Sequence, residues 1–94
     1  MNSTSMQRMA LVARDAHSAV LDLKRIVDST VEKIRAAELQ SVGAALGSPR
    51  TDDPLSTLRM AAEALRSSDF ETAVSQARTK TECAVSCYVT ASEE

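Results

Sequence analysis

Apolar residues recur at helical spacing through the first half of the chain, and this pattern limits the fold more than any other feature of the sequence. In one seven-residue frame, with positions a to g, apolar or small side chains fill every a and d position. The a positions are Met6, Ala13, Val20, Val27 and Ile34, and the d positions are Met9, Ala16, Leu23, Thr30 and Ala37. Such a repeat of 3.5 residues is typical of coiled coils and helical bundles. We therefore predict one long helix over residues 6–46, with its a and d positions facing a helical partner.

Helix-breaking residues then follow close together near the middle of the chain. Gly47 suits the position just after a helix end, where the left-handed backbone is favoured, and Pro49 cannot continue the helix. Asp53 followed by Pro54 matches an N-cap with proline in the first helical position. These residues predict a turn over 47–53.

The second half of the chain predicts a short helix over 54–66 and a medium helix over 69–92. The first of these carries four apolar residues on one face, namely Leu55, Leu58, Ala62 and Leu65. Ser68 and Glu71 match the S-x-x-E capping box that opens a new helix. Because no glycine or proline separates the two segments, a continuous helix, and hence a hairpin of two long helices, is the alternative.

The composition favours a small all-α fold in a single domain over residues 1–94. Only two glycines and two prolines occur, which is too few for the many turns of an all-β protein. The apolar fraction is 44%, but it is rich in alanine, and its aromatic residues are Phe70 and Tyr88. Such a core buries little apolar area, at about 25 cal/mol per Å². We expect a small antiparallel helical bundle of marginal stability, which a partner or self-association would stabilise.

Charge and hydropathy argue against several classes of partner. The net charge is −2, and charges of both signs are interspersed without a basic block, so we expect no binding to nucleic acid. No apolar run approaches the 18 or so residues of a membrane span, and the apolar run near the amino terminus is too short for a signal peptide. We expect a cytoplasmic protein with no membrane partner, no cofactor and no small-molecule substrate.

Cys83 and Cys87 are the two cysteines, and they lie four residues apart within one predicted helix. Their Cβ atoms would be about 5–6 Å apart, too far for an unstrained disulfide within the helix. The favoured interpretation is that both pack like small apolar residues. Two alternatives stay open, a disulfide to another chain and a metal or redox site. Such a metal site would need further ligands, for which His17 is a candidate.

No catalytic motif is present, so we expect no enzyme activity. Five apolar residues fall outside the predicted contacts between helices, and we interpret them as the surface that meets another chain. They are Leu11, Leu21, Leu39, Leu46 and Met60. The sequence therefore predicts an interaction protein, such as an adaptor, a chaperone-like partner or an assembly subunit. One alternative is a self-assembling structural subunit of a secretion or appendage system. The other is a cysteine-dependent metal or redox binder.

Overall fold

The computed structural model describes residues 3–47 and 53–93, and these residues form three α-helices and no strand. Helix α1 spans Ser3–Ala45, α2 spans Pro54–Arg66 and α3 spans Ser68–Ser92. The prediction of an all-α fold with one long, one short and one medium helix is confirmed, and the alternative of a two-helix hairpin is wrong. Within the described ranges, no helix is both long enough and apolar enough to cross a bilayer.

The end of α1 and the start of α2 use the local signals that the sequence predicts. Gly47 has a φ of 75°, and its N–H donates to the carbonyl of Ala44 at 3.0 Å. Asp53 is the N-cap of α2, with its Oδ1 accepting from the N–H of Leu55 at 3.1 Å, and Pro54 is the first helical residue. Both end signals are confirmed. Of the predicted turn over 47–53, residues 48–52 lie outside the described part of the chain.

The junction between α2 and α3 consists of one extended residue, Ser67, with φ −69° and ψ 152°. Its hydroxyl donates to the carbonyl of Ala64 at 2.8 Å and accepts from the N–H of Phe70 at 3.1 Å. One side chain thus ends α2 and caps α3. The predicted cap at Ser68 is wrong by one residue, because the hydroxyl of Ser67 makes both bonds and Ser68 is already the first helical residue of α3.

The chain divides into two compact units. The α1–α3 unit combines α1 up to Lys24 with α3 from Glu71, and the α1–α2 unit is Arg25–Phe70. In the α1–α3 unit, buried residues come from both helices. They are Met9, Ala16, Ala19, Ala77 and Ala91. The prediction of a single domain stays a prediction.

Within the α1–α2 unit the two helices run antiparallel. The Thr57 hydroxyl near the start of α2 lies 3.1 Å from Oε1 of Gln40 near the end of α1. Earlier in α1, Ser29 shares a groove with Ala64 and with Ser67 at the end of α2. Residues before Gln40 therefore lie level with residues after Thr57.

Candidate protein interaction surface

The contact between α1 and α2, which we call the seam, is built from small side chains. Among the described residues of this unit, Thr30, Ala37 and Ala61 are buried, and the two alanines are only 1% and 2% exposed. Thr30 donates its hydroxyl to the carbonyl of Ile26 at 2.8 Å, so its buried oxygen is satisfied within its own helix. Small residues allow the helices to approach closely, but they bury little apolar area.

Several a positions of α1 are more exposed to solvent than its d positions. Val20, Val27 and Ile34 remain 40–46% exposed, whereas Thr30 and Ala37 at d positions are buried. The prediction that both sets face a helical partner is therefore wrong for these a residues. The apolar pattern of α1 is wider than one partner helix covers, because it includes residues beside the a and d positions on both sides. Helix α2 covers one half of that width and leaves the other half open.

Large apolar side chains lie beside the seam on both helices of the α1–α2 unit. On α1 they are spaced at i, i+4 and i+7, and on α2 at i, i+3 and i+10, so each set forms one stripe. Together these residues, which we call the open face, are Val27, Val31, Ile34, Leu55, Leu58 and Leu65. Each is 40–53% exposed. Val27 and Ile34, which the sequence predicts to face a helical partner, thus form one candidate surface with Val31 and with the leucines predicted for one face of α2.

Helix handedness places the two stripes on the same side of the pair. In each helix, a rotation about the helix axis in the direction of increasing residue number leads from the seam residues to the stripe. Because the two helices run antiparallel and face each other at the seam, rotation in this direction brings both stripes to the same side of the pair. The opposite side provides a check, because Ile26, Ser29, Ala64 and Ser67 line a shared groove of about 320 Å³ there. The open face is therefore one surface formed by two helices.

The five residues predicted for interaction are all exposed, but the structure does not gather them into one surface. Leu39 lies on the side of α1 that points away from the seam, and Leu46 lies in the turn that follows α1. Met60 lies on the flank of α2 opposite Leu58 and Leu65, as their spacing on the helix shows. Leu11 and Leu21 belong to the α1–α3 unit. Their role in binding stays a prediction.

Cys83 and Cys87 line one open groove of about 310 Å³ in the α1–α3 unit, together with Arg8 and Val12 of α1. Both thiols are free, with Cys83 exposed and Cys87 half-buried. The interpretation that both pack into a core is therefore wrong for Cys83. His17 is exposed on α1. Across residues 3–47 and 53–93, no group of three or more His, Cys, Asp or Glu side chains is arranged to hold a metal ion.

Comparison with known proteins assigns no family to the chain. No protein-family model matches it, and no match was found among curated proteins or solved structures. The residues and geometry of the open face therefore supply the basis for a functional proposal.

Proposed function

We propose that this chain is a non-enzymatic, cytoplasmic protein–protein interaction module that buries its open face against helices of another chain. The observation that carries the proposal is the separation of apolar residues by size in the α1–α2 unit. Alanine and threonine occupy the seam, whereas valine, isoleucine and leucine occupy the exposed surface beside it. A helix pair of this kind contains the large side chains of a bundle core with only half of that core covered.

Burial of the open face provides the driving force for binding. Complete burial of a valine or leucine side chain stabilises by about 1.5–3 kcal/mol, so a half-exposed one retains about 1 kcal/mol. The six side chains together therefore offer several kcal/mol before the entropic cost of association is subtracted. Because the six residues lie on two adjacent helices, the fitting partner is itself helical, and its apolar side chains pack between those of α1 and α2.

Site-specific photo-crosslinking in the native host tests this function, because the mass of the adduct reports the partner. A photo-reactive residue is placed at Val31 or Leu58 on the open face, or at one of two outer positions away from it, Leu39 of α1 or Met60 of α2. We expect a discrete adduct of defined mass from the two open-face positions and none from the two outer positions. All four sites are exposed in the chain, so accessibility alone does not produce this difference.

Other patterns of adduct would favour the other candidate functions. Adducts at Leu39 and Met60 but not at the open-face positions would overturn the proposed surface and support the interaction residues predicted from sequence. A ladder of adducts at multiples of the chain mass would identify a self-assembling subunit whose contacts do not close. A pattern that disappears when Cys83 and Cys87 are changed to serine would support the cysteine-dependent alternative.

A further inference from the structure

We propose that Cys83 and Cys87 form a two-thiolate binding site for a soft monovalent metal ion, and that copper(I) is the ion that fits it. The site lies in the α1–α3 unit and does not depend on the proposed function of the open face. Both thiols are free, and both line one open groove of about 310 Å³ between α3 and α1. The groove therefore places two soft ligands beside one space that a metal ion can enter.

The spacing of the two cysteines suits an ion between the sulfurs better than a bond between them. Residues four apart on a helix have Cβ atoms about 5–6 Å apart, whereas a disulfide needs about 3.5–4.5 Å. A metal–thiolate bond is about 2.3 Å long for zinc, so two sulfurs on opposite sides of one such ion lie about 4.6 Å apart. Rotation about the two Cα–Cβ bonds can reach this separation while α3 keeps its backbone.

The ligands in the groove favour copper(I) over zinc. Thiolates are soft ligands that select copper(I), whereas structural zinc takes four sulfur or nitrogen ligands. Apart from the cysteines and Arg8, the described side chains that line the groove are aliphatic or carry a hydroxyl, as Val12 and Thr90 do. Two thiolates alone can hold copper(I) in a linear arrangement, so the groove already contains a complete ligand set for this ion.

Arg8 provides the charge that such a complex calls for. Each thiol releases its proton to solvent when its sulfur binds the metal. One copper(I) ion with two thiolates therefore carries a single negative charge. Arg8 of α1 lines the same groove, and its guanidinium is always protonated in proteins. It stabilises the anionic complex, although solvent weakens the effect because Arg8 is exposed.

Competition for copper(I) tests the site. Reduced protein is titrated with copper(I), without oxygen, against a coloured copper(I) chelator, for wild type, Cys83→Ser, Cys87→Ser and Arg8→Ala. We expect wild type to hold one ion per chain. Arg8→Ala removes a group outside the ligand set and should weaken binding about tenfold, whereas each serine variant removes a ligand and should weaken it by more than about a hundredfold.

A control with the same number of thiols separates their spacing from their presence. Cys87→Ser combined with Val85→Cys, which we call the spacing variant, places the two cysteines on opposite sides of α3. Val85 is 58% exposed, so the new thiol remains accessible to the ion. We expect the spacing variant to bind copper(I) as weakly as Cys87→Ser does, and circular dichroism should show equal helix content in all variants.

Several results would overturn the site. Wild type that yields copper(I) to the chelator as readily as Cys87→Ser would do so, as would a spacing variant that binds as tightly as wild type. One ion held between two chains would place the sulfurs on different molecules. X-ray absorption of the wild-type complex should show two sulfur neighbours of copper, and a larger number would contradict the two-thiolate site.

Discussion

The seam and the open face of the α1–α2 unit lie side by side on the same two helices, but their apolar residues differ in size. The seam buries Ala37 and Ala61 almost completely, whereas Val31, Ile34 and Leu65 are more than 40% exposed. A chain that gained its stability from the α1–α2 contact alone would be expected to bury its largest apolar side chains there. In the reverse distribution seen here, small residues set the spacing of the helices at the seam, and about half of each of these large side chains stays exposed.

The largest effect should follow from adding volume to the seam. Ala61→Leu inserts three carbon atoms where Ala61 is 2% exposed, and we expect it to destabilise the fold by about 1–3 kcal/mol. Ala62→Leu is the matched control, because the neighbouring alanine is half-buried and its side chain points toward the open face. Urea unfolding followed by circular dichroism measures both. Equal losses of unfolding free energy for the two variants would show that the seam is packed no more tightly than the open face.

A smaller effect should follow from a polar substitution on the open face, and it should appear in association. Ile34→Asn removes an apolar side chain from the surface that we propose a partner covers, so we expect at least tenfold weaker association, or about 1.4 kcal/mol. Leu39→Asn makes a similar change on the outer side of α1, where exposure is 68% compared with 46% for Ile34. The yield of the photo-adduct formed from Leu58 in the host compares association of the two variants. If Leu39→Asn weakened association as much as Ile34→Asn, the binding surface would not be confined to the open face.

The capping bonds of Ser67 at the junction between α2 and α3 should stabilise the fold by about as much as one helix cap. Ser67→Ala removes the hydroxyl that bonds both Ala64 and Phe70, and we expect a loss of about 1 kcal/mol in the free energy of unfolding. Ser68→Ala is the control, because Ser68 is the first helical residue of α3 and alanine is favoured in a helix. A larger loss of unfolding free energy for Ser68→Ala than for Ser67→Ala would instead support the capping box that the sequence predicts at Ser68.

The smallest effect should come from removing the polar atom in the seam. Thr30→Val keeps the size of the side chain and removes a hydroxyl that bonds the carbonyl of Ile26 within the same helix. Since that carbonyl keeps its helical partner, we expect the free energy of unfolding to change by about 0.5 kcal/mol or less. This result would show that the contact between α1 and α2 depends on the size of the side chain at position 30 and not on its hydroxyl. A loss well above 1 kcal/mol would instead indicate that the hydroxyl stabilises the contact between helices.

The helices and their ends were predictable because each depends on residues close together in sequence. Gly47 accommodates a positive φ, and Asp53 with Pro54 starts a helix, whatever lies elsewhere in the fold. The cap between α2 and α3 was misplaced because two adjacent serines offer the same local signal. The structure places both capping bonds on Ser67, whose backbone is extended, and begins α3 at Ser68.

The open face was not predictable from periodicity alone. A helical repeat shows which residues share a side of α1, but it does not show which half of a wide apolar stripe one partner helix will cover. Because Val27 and Ile34 were predicted to face a partner helix within the chain, other leucines were interpreted as the interaction surface, such as Leu39 on the outer side of α1. The available signal was the width of the stripe, because Val31 extends it beyond what a single helix contact can bury.

Thiol labelling in living cells is the measurement that tests the account most directly. In a background with Cys83→Ser and Cys87→Ser, single cysteines replace Val31 on the open face or Leu39 on the outer side of α1, which are 44% and 68% exposed in the chain. We predict that a membrane-permeant maleimide labels position 31 at least tenfold more slowly than position 39, because a partner covers the open face. Equal labelling rates would contradict it, since the open face would then be bare in the working protein.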